Sequence, residues 1–272
     1  MLHTTINFTE DGRVNLVTYL HEKICNGKEL PKKPAIIILP GGAYAFLSDT
    51  EAEPVALTFM EEGYQAFVLN YSVGEYSEFP NPLDDVSRAI WMIREHAEEW
   101  GVDADAIVLM GFSAGSGIAA LSATQWNTPG LAERLHIPEG GNKPNAVVLG
   151  YGGNLTEDFF DKVEIIPDNL GKIVHDKTPQ LNYVNYVGPH VPPLFIWHCR
   201  GDKLVPSEAP AYMALAMEKY RLPYEMHVFQ FGAHGISVAN QLTPTVAKEF
   251  RDSSAAMWVP LCVRWMEQLF GL

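Results

Sequence analysis

The chain has 272 residues, of which 47% are hydrophobic and 19% are charged, so it can build a sizeable core and is not a disordered polymer. Its 33 acidic and 19 basic residues give a formal net charge of -14, which would repel the phosphates of nucleic acids and anionic lipids. The longest apolar run is far shorter than the ~20 residues needed to cross a bilayer. These features exclude nucleic-acid binding and predict that the chain does not associate with membranes.

The cysteine content indicates a reducing compartment. Cys25, Cys199 and Cys262 are too few and too widely spaced for a disulfide framework or a zinc-ligand pattern. The first twelve residues contain no apolar segment of the kind found in signal peptides. We therefore expect a soluble cytoplasmic protein, provided that no leader has been removed.

Short apolar runs rich in β-branched residues predict strands along the whole chain. They cover residues 35–39, 66–71, 107–110, 146–149, 194–197 and, with a partly alternating pattern, 224–229. Helical patterns lie between them, at residues 50–62, 82–100, 115–125, 207–220 and 255–270. Because parallel neighbours need crossover connections, this alternation predicts an α/β fold with a mostly parallel sheet and helices on both faces.

One segment interrupts the alternation. Residues 150–190 are rich in Gly, Asn, Pro and Tyr and have no long period. We interpret them as a small insertion near the C-terminal strand edges that forms a cap over the site. Single α/β domains often reach roughly 250 residues, so residues 1–272 are predicted to form one domain.

The strongest chemical motif is a G-x-S-x-G sequence at residues 111–115, with Ser113 at its centre. It directly follows the predicted strand 107–110 and precedes a helix. A sharp strand-to-helix turn of this kind exposes a serine at the top of the sheet, and the flanking glycines avoid Cβ clashes. The context predicts that Ser113 is a nucleophile.

A nucleophilic serine needs a histidine base and an acid that orients it, in the chain order serine, acid, histidine for this kind of fold. His234 lies in a glycine-flanked loop just after the last predicted strand, and Asp202 follows the strand at residues 194–197. Both are predicted to complete a catalytic triad. Glu208 and Glu225 are the alternative acids.

Backbone amides must also stabilise the tetrahedral oxyanion that forms during acyl transfer. The segment Leu39-Pro40-Gly41-Gly42-Ala43-Tyr44 ends an apolar strand and matches an HGGG-type loop. The amides of Gly42, Ala43 and Ala114 are the predicted donors. Each motif alone also has an ordinary structural interpretation, as a helix start, a turn histidine, a turn aspartate or a Gly-Gly turn.

These motifs resemble the acetyl-esterase and xylan-esterase-like α/β-hydrolases over most of the chain. The matching segments are 39–42, 53–56, 70–73, 80–85, 111–115, 197–198, 205–206 and 232–235. The resemblance implies an α/β-hydrolase fold, hydrolysis of acetyl esters of carbohydrates, and Ser113, Asp202 and His234 as the triad. Ala43 stands where that family commonly has a third glycine, which should matter little because only the amide is used. Ser116-Gly117 replaces a common Gly-His pair, and we expect this second departure to alter the pocket.

The predicted function is a serine carboxylesterase that acts through an acyl-enzyme on small acyl esters, such as those of acetylated xylo-oligosaccharides. No metal or cofactor is predicted, the expected partner is a small-molecule ester, and the sequence does not predict an oligomeric state. The alternatives are a serine peptidase or amidase on the same fold and a non-catalytic binding protein. Retention of all three triad residues argues against the last of these.

Overall fold

The computed structural model describes residues 1–153, 182–243 and 252–272. Within them, eight strands form one sheet and two very short strands form a separate hairpin. The strands are β1 (Leu2–Asn7), β2 (Asn15–Leu20), β3 (Ile24–Cys25), β4 (Lys28–Glu29), β5 (Lys33–Leu39), β6 (Gln65–Asn70), β7 (Val102–Phe112), β8 (Ala146–Gly150), β9 (Leu194–Cys199) and β10 (Tyr224–Phe229).

The main sheet is mostly parallel. Its strand order is β1-β2-β6-β5-β7-β8-β9-β10. The six strands from β6 to β10 in this order are parallel to their neighbours, whereas β2 pairs antiparallel with both β1 and β6. Because the parallel strands point the same way, the loops that follow β5, β7, β9 and β10 lie at one edge of the sheet.

Helices cover both faces of this sheet. They are α1 (Glu53–Glu61), α2 (Asn81–Glu95), α3 (Ala97–Trp100), α4 (Ala114–Gln125), α5 (Leu131–Arg134), α6 (Ala209–Lys219) and α7 (Trp258–Phe270). Buried residues of α2, α4 and α6 share one core with Ile37 of β5, and those of α1 and α7 share the opposite core with Ile36 and Ile38. Successive β5 side chains therefore pack on opposite faces, as expected for a strand covered on both sides.

The predicted fold class is confirmed, and all six predicted strands are present. The helix predicted at residues 82–100 is instead two helices, which meet at His96. The imidazole of His96 bonds the Met92 carbonyl oxygen through Nδ1 at 2.9 Å, beside the backbone bond to the same oxygen. The predicted helices 50–62 and 255–270 each begin with a short 3₁₀ turn, at Asp49–Glu51 and Ala255–Met257.

The sequence patterns missed the antiparallel strands β1 and β2. Most of β1 is exposed, and its threonines and histidine break the apolar run that marks a buried strand. The predicted cap at residues 150–190 falls largely outside the described residues, which resume with a 3₁₀ turn at Tyr183–Tyr186. In the described parts of the chain, no helix has both the length and the apolar character needed to cross a membrane.

Candidate active site

Ser113 occupies a sharp turn between β7 and α4. Its backbone has φ 50° and ψ -118°, a conformation that residues with a Cβ atom rarely adopt. A Cβ atom on Gly115 would lie 2.1 Å from the carbonyl oxygen of Leu39, and one on Gly111 would lie 2.2 Å from the carbonyl oxygen of Gly115. Only glycine fits at both places, and this is the physical reason for the G-x-S-x-G spacing.

The loop after β10 brings His234 to this serine. Nε2 of His234 lies 2.8 Å from Oγ of Ser113. Gly232 and Gly235, on either side, have φ of 119° and 74°, which lets the loop turn back over the sheet edge. The ring of Tyr151 packs edge-on against the imidazole, with the two ring centroids 5.2 Å apart.

Asp202, in the loop after β9, contacts the other side of the imidazole. Its Oδ2 lies 2.7 Å from Nδ1 of His234, and its Oδ1 accepts hydrogen bonds from the amides of Leu204 and Val205 at 2.8 and 2.9 Å. The carboxylate therefore favours the tautomer with its proton on Nδ1, which leaves Nε2 free to accept from the Ser113 hydroxyl. The bond from His234 goes to Asp202, whereas Glu225 pairs with His227 at 2.7 Å.

The environment of Asp202 keeps it ionised. Burial alone would raise the pKa of this carboxyl, but hydrogen bonds from His198 and His234 outweigh burial and hold the pKa well below its usual range. Asp202 is 8% exposed, so water screens these interactions only weakly. It can therefore stabilise a positive charge on His234 across the whole neutral range.

His198 contacts the carboxylate of Asp202, although nothing in its strand pattern indicated this. It is fully buried in β9. Its Nε2 also lies 3.4 Å from Oδ2 of Asp202 and 3.1 Å from the carbonyl oxygen of Val205. Its place four residues before the acid was the only sequence signal of this contact.

The predicted oxyanion loop lies directly against the serine. A Cβ atom on Gly41 would lie 2.7 Å from Cβ of Ser113. Within the described chain, no acceptor bonds the amides of Gly42, Ala43 or Ala114. Ala43 has φ 58°, in the left-handed region where glycine is favoured, so the missing third glycine leaves a strained alanine.

A buried acid behind this loop was not predicted from the sequence. Glu51 is 3% exposed, and its Oε2 accepts a hydrogen bond from the Gly41 amide at 2.7 Å, while its Oε1 accepts one from the Tyr151 hydroxyl at 2.6 Å. Burial raises the pKa of the Glu51 carboxyl, although the hydrogen bond from Tyr151 and the charge of His234 oppose this. A glutamate that precedes a helix looks like an ordinary helix-start residue, so only the fold reveals these contacts.

No metal centre accompanies this arrangement in the described segments. Among residues 1–153, 182–243 and 252–272, no group of three or more His, Cys, Asp and Glu side chains is placed to hold a metal ion.

A mostly parallel eight-stranded sheet, with a serine on a strained turn after a central strand and a histidine and aspartate in later loops, defines an α/β-hydrolase. Comparison with known proteins identifies the family. A model of the BD-FAE family matches residues 24–217, and the chain belongs to that family.

Individual relatives agree with this assignment. The chain is 32% identical to endo-1,4-beta-xylanase B of Butyrivibrio fibrisolvens over 237 residues, which are 83% of this chain and 35% of that protein. It is similar to the carboxylesterase Cest-2923 of Lactobacillus plantarum WCFS1, with a TM-score of 0.86, 26% identity and coverage of 100% of this chain and 98% of that one. It is also similar to the acetyl ester-xyloside bifunctional hydrolase of Caldicellulosiruptor lactoaceticus, with a TM-score of 0.74, 28% identity and coverage of 98% and 96%.

The chain thus spans about a third of the length of the xylanase that it matches. The predicted resemblance to acetyl-esterase and xylan-esterase-like α/β-hydrolases is confirmed.

Proposed function

We propose that this chain is a serine carboxylesterase that cleaves small acyl esters, with acetylated xylo-oligosaccharides as the substrate class. The observation that carries the proposal is the unbroken chain of contacts from Ser113 through His234 to Asp202, at 2.8 and 2.7 Å. Both distances lie within hydrogen-bond reach, as a nucleophile, its base and the acid that orients the base require.

In the proposed reaction, Oγ of Ser113 attacks the ester carbonyl while its proton moves to Nε2 of His234. The amides of Gly42, Ala43 and Ala114 donate hydrogen bonds to the oxyanion that results. Collapse of this intermediate releases the alcohol, which takes the proton from His234, and leaves an acyl-serine. A water molecule then gives a proton to His234 and attacks the acyl group, so that the carboxylic acid leaves and Ser113 recovers its proton.

Asp202 acts in this scheme without taking a proton. Its low pKa keeps it ionised, so it stabilises the imidazolium in both steps and holds Nδ1 in the donor role. The Ser113 hydroxyl, the His234 imidazole and the Asp202 carboxylate are linked by hydrogen bonds before the substrate binds, so the reaction does not have to assemble them.

The preference for esters over amides is supported by the names of similar proteins. One structural neighbour is called a carboxylesterase, and another is called an acetyl ester-xyloside bifunctional hydrolase. The same triad chemistry would also cleave activated amides, so a serine peptidase or amidase is the rival function.

The carbohydrate part of the proposal has two supports. The matched xylanase and the acetyl ester-xyloside hydrolase both have names that refer to xylose-based substrates. In addition, the sequence of residues 150–190 mixes aromatic side chains with Asn and Asp, a composition that suits a hydroxyl-rich ring better than an alkyl tail.

One set of kinetic measurements tests both the esterase activity and the carbohydrate substrate class. We expect kcat/KM to fall from p-nitrophenyl acetate through butyrate to octanoate, acetate to be released from acetylated xylo-oligosaccharides, and a peptide anilide to be cleaved far more slowly. Preferred cleavage of octanoate, or no release of acetate from any acetylated sugar, would exclude the carbohydrate substrate and leave only a generic esterase. Faster cleavage of the anilide than of every ester would exclude the esterase itself.

A further inference from the structure

We propose that Glu51 is a positioning residue that fixes the oxyanion loop, residues 40–46, relative to the loop that carries His234. The inference rests on the proposed function, because it assigns a role within that reaction. It concerns a buried acid that the triad mechanism does not use.

On one side, Glu51 holds the oxyanion loop. Its Oε2 accepts the Gly41 amide at 2.7 Å, and the backbone amide of Ser48 donates to the Gly41 carbonyl oxygen at 2.9 Å. Both polar groups of Gly41 are thus bound by the segment 48–51. The Gly41 carbonyl and the Gly42 amide belong to one planar peptide unit, so fixing that carbonyl sets the direction in which the Gly42 amide, a proposed oxyanion donor, points.

On the other side, Glu51 reaches the His234 loop through Tyr151. The Tyr151 hydroxyl donates to Oε1 of Glu51 at 2.6 Å and accepts the backbone amide of Ser237 at 3.1 Å. Ser237 lies three residues after His234, and its own hydroxyl donates to the carbonyl oxygen of Thr50 at 2.6 Å. The same tyrosine ring packs on the imidazole, so Glu51 and Tyr151 together brace the base.

The cost of burying Glu51 supports a functional role. Its described hydrogen-bond partners are a backbone amide and a phenol, and no described Lys or Arg forms an ion pair with it. A buried carboxyl without a cationic partner is costly, and an apolar side chain of similar volume would fill the same space without that cost. The presence of an acid at this position is explained if both carboxylate oxygens are needed, one to hold the oxyanion loop and one to hold the His234 loop through Tyr151.

The test compares Glu51→Leu, which loses both acceptors, with Glu51→Gln, which keeps one acceptor oxygen. We expect kcat for p-nitrophenyl acetate to fall about 100-fold or more in E51L, the scale of losing an oxyanion donor, and less in E51Q, while KM changes less than about threefold in both. A trifluoromethyl ketone, which forms a charged adduct with the nucleophile, should bind E51L more weakly by about the factor lost in kcat/KM.

Asp84→Asn supplies the matched control. Asp84 is also a buried carboxylate, but it pairs with Arg134 and joins α2 to α5 rather than the two loops. We expect D84N to lower the melting temperature while kcat stays within about threefold of the wild-type value. If E51L does not fold, Tyr151→Phe replaces it, because that variant removes the hydroxyl between Glu51 and Ser237.

The outcomes separate the two proposals. An inactive wild-type protein would defeat the esterase function itself. An active wild type whose folded E51L, E51Q and Y151F variants all keep kcat within threefold would overturn the positioning role alone. Equal losses of kcat in D84N and E51L at equal melting temperature would also overturn it, since the loss would then follow stability.

Discussion

The hydroxyl of Ser113 lies 2.8 Å from Nε2 of His234, whereas the hydroxyl of Ser116, one turn further along α4, has no hydrogen-bond partner in the described chain. The two serines thus lie at the start of the same helix, but they differ in their contact with the proposed base, which is what makes a serine nucleophilic. The difference makes Ser116 a natural control for the role of Ser113.

We expect Ser113→Ala to abolish ester turnover and covalent labelling by a fluorophosphonate, because no other hydroxyl of residues 1–153, 182–243 and 252–272 is bonded to the proposed base. The circular dichroism spectrum should be unchanged. Ser116→Ala should keep labelling and kcat close to wild type, since removing a buried unpaired hydroxyl leaves no partner unsatisfied. Labelling of S113A at the wild-type rate would refute the assignment of the nucleophile.

Asp202→Asn should lower kcat on the order of 10⁴-fold, because an amide at this position can favour the wrong tautomer of His234. Steady-state kinetics on p-nitrophenyl acetate would measure the loss. Glu225→Gln serves as the control and should retain full activity, because Glu225 bonds His227 instead. A loss of less than about tenfold in D202N would mean that another carboxylate orients the base.

Ser113, Asp202 and His234 could be placed from the sequence because each follows a recognisable strand, and strand ends in a parallel sheet meet at one edge. The strands before Ser113 and Asp202 were marked by apolar runs that are buried on both faces, whereas β10, before His234, is only partly buried and has a partly alternating pattern. Glu51 and Tyr151 left no such signal, since their contact joins segments a hundred residues apart and depends on the packed fold. The exposed strand β1 was missed for a related reason, because without burial its side chains show no apolar pattern.

Ala43→Gly tests the strain in the oxyanion loop. Ala43 has φ 58°, a backbone conformation that costs alanine roughly 1 kcal/mol of conformational free energy but does not strain glycine. Part of this gain is offset because glycine makes the unfolded chain more flexible. We expect the free energy of unfolding of A43G, measured in urea, to equal that of the wild type or to exceed it by up to about 1 kcal/mol. The value of kcat should be unchanged, because the backbone amide is kept. A clear loss of stability would show that the alanine methyl group makes contacts that outweigh its strain.

The pH dependence should identify the base. His234 must be neutral to accept the serine proton, so kcat/KM should rise with pH as the imidazole loses its proton. Asp202 should add no second step there, because its pKa is held well below the usual range and the carboxylate is already ionised. In the part of the chain that the structure describes, Glu51 is a second buried acid that interacts electrostatically with His234, and burial raises the pKa of its carboxyl. Protonation of Glu51 at low pH would therefore imitate the histidine step.

The variant Glu51→Gln separates these two sources, because it cannot ionise at this position. We expect the rise in kcat/KM to persist in E51Q at a lower plateau, since the imidazole still has to lose its proton. The rates would be measured from acetate released by phenyl acetate between pH 5 and 9, with the fold checked at each pH. A flat profile in the folded wild-type protein would contradict a histidine base, and a profile that becomes flat only in E51Q would assign the ionisation to Glu51.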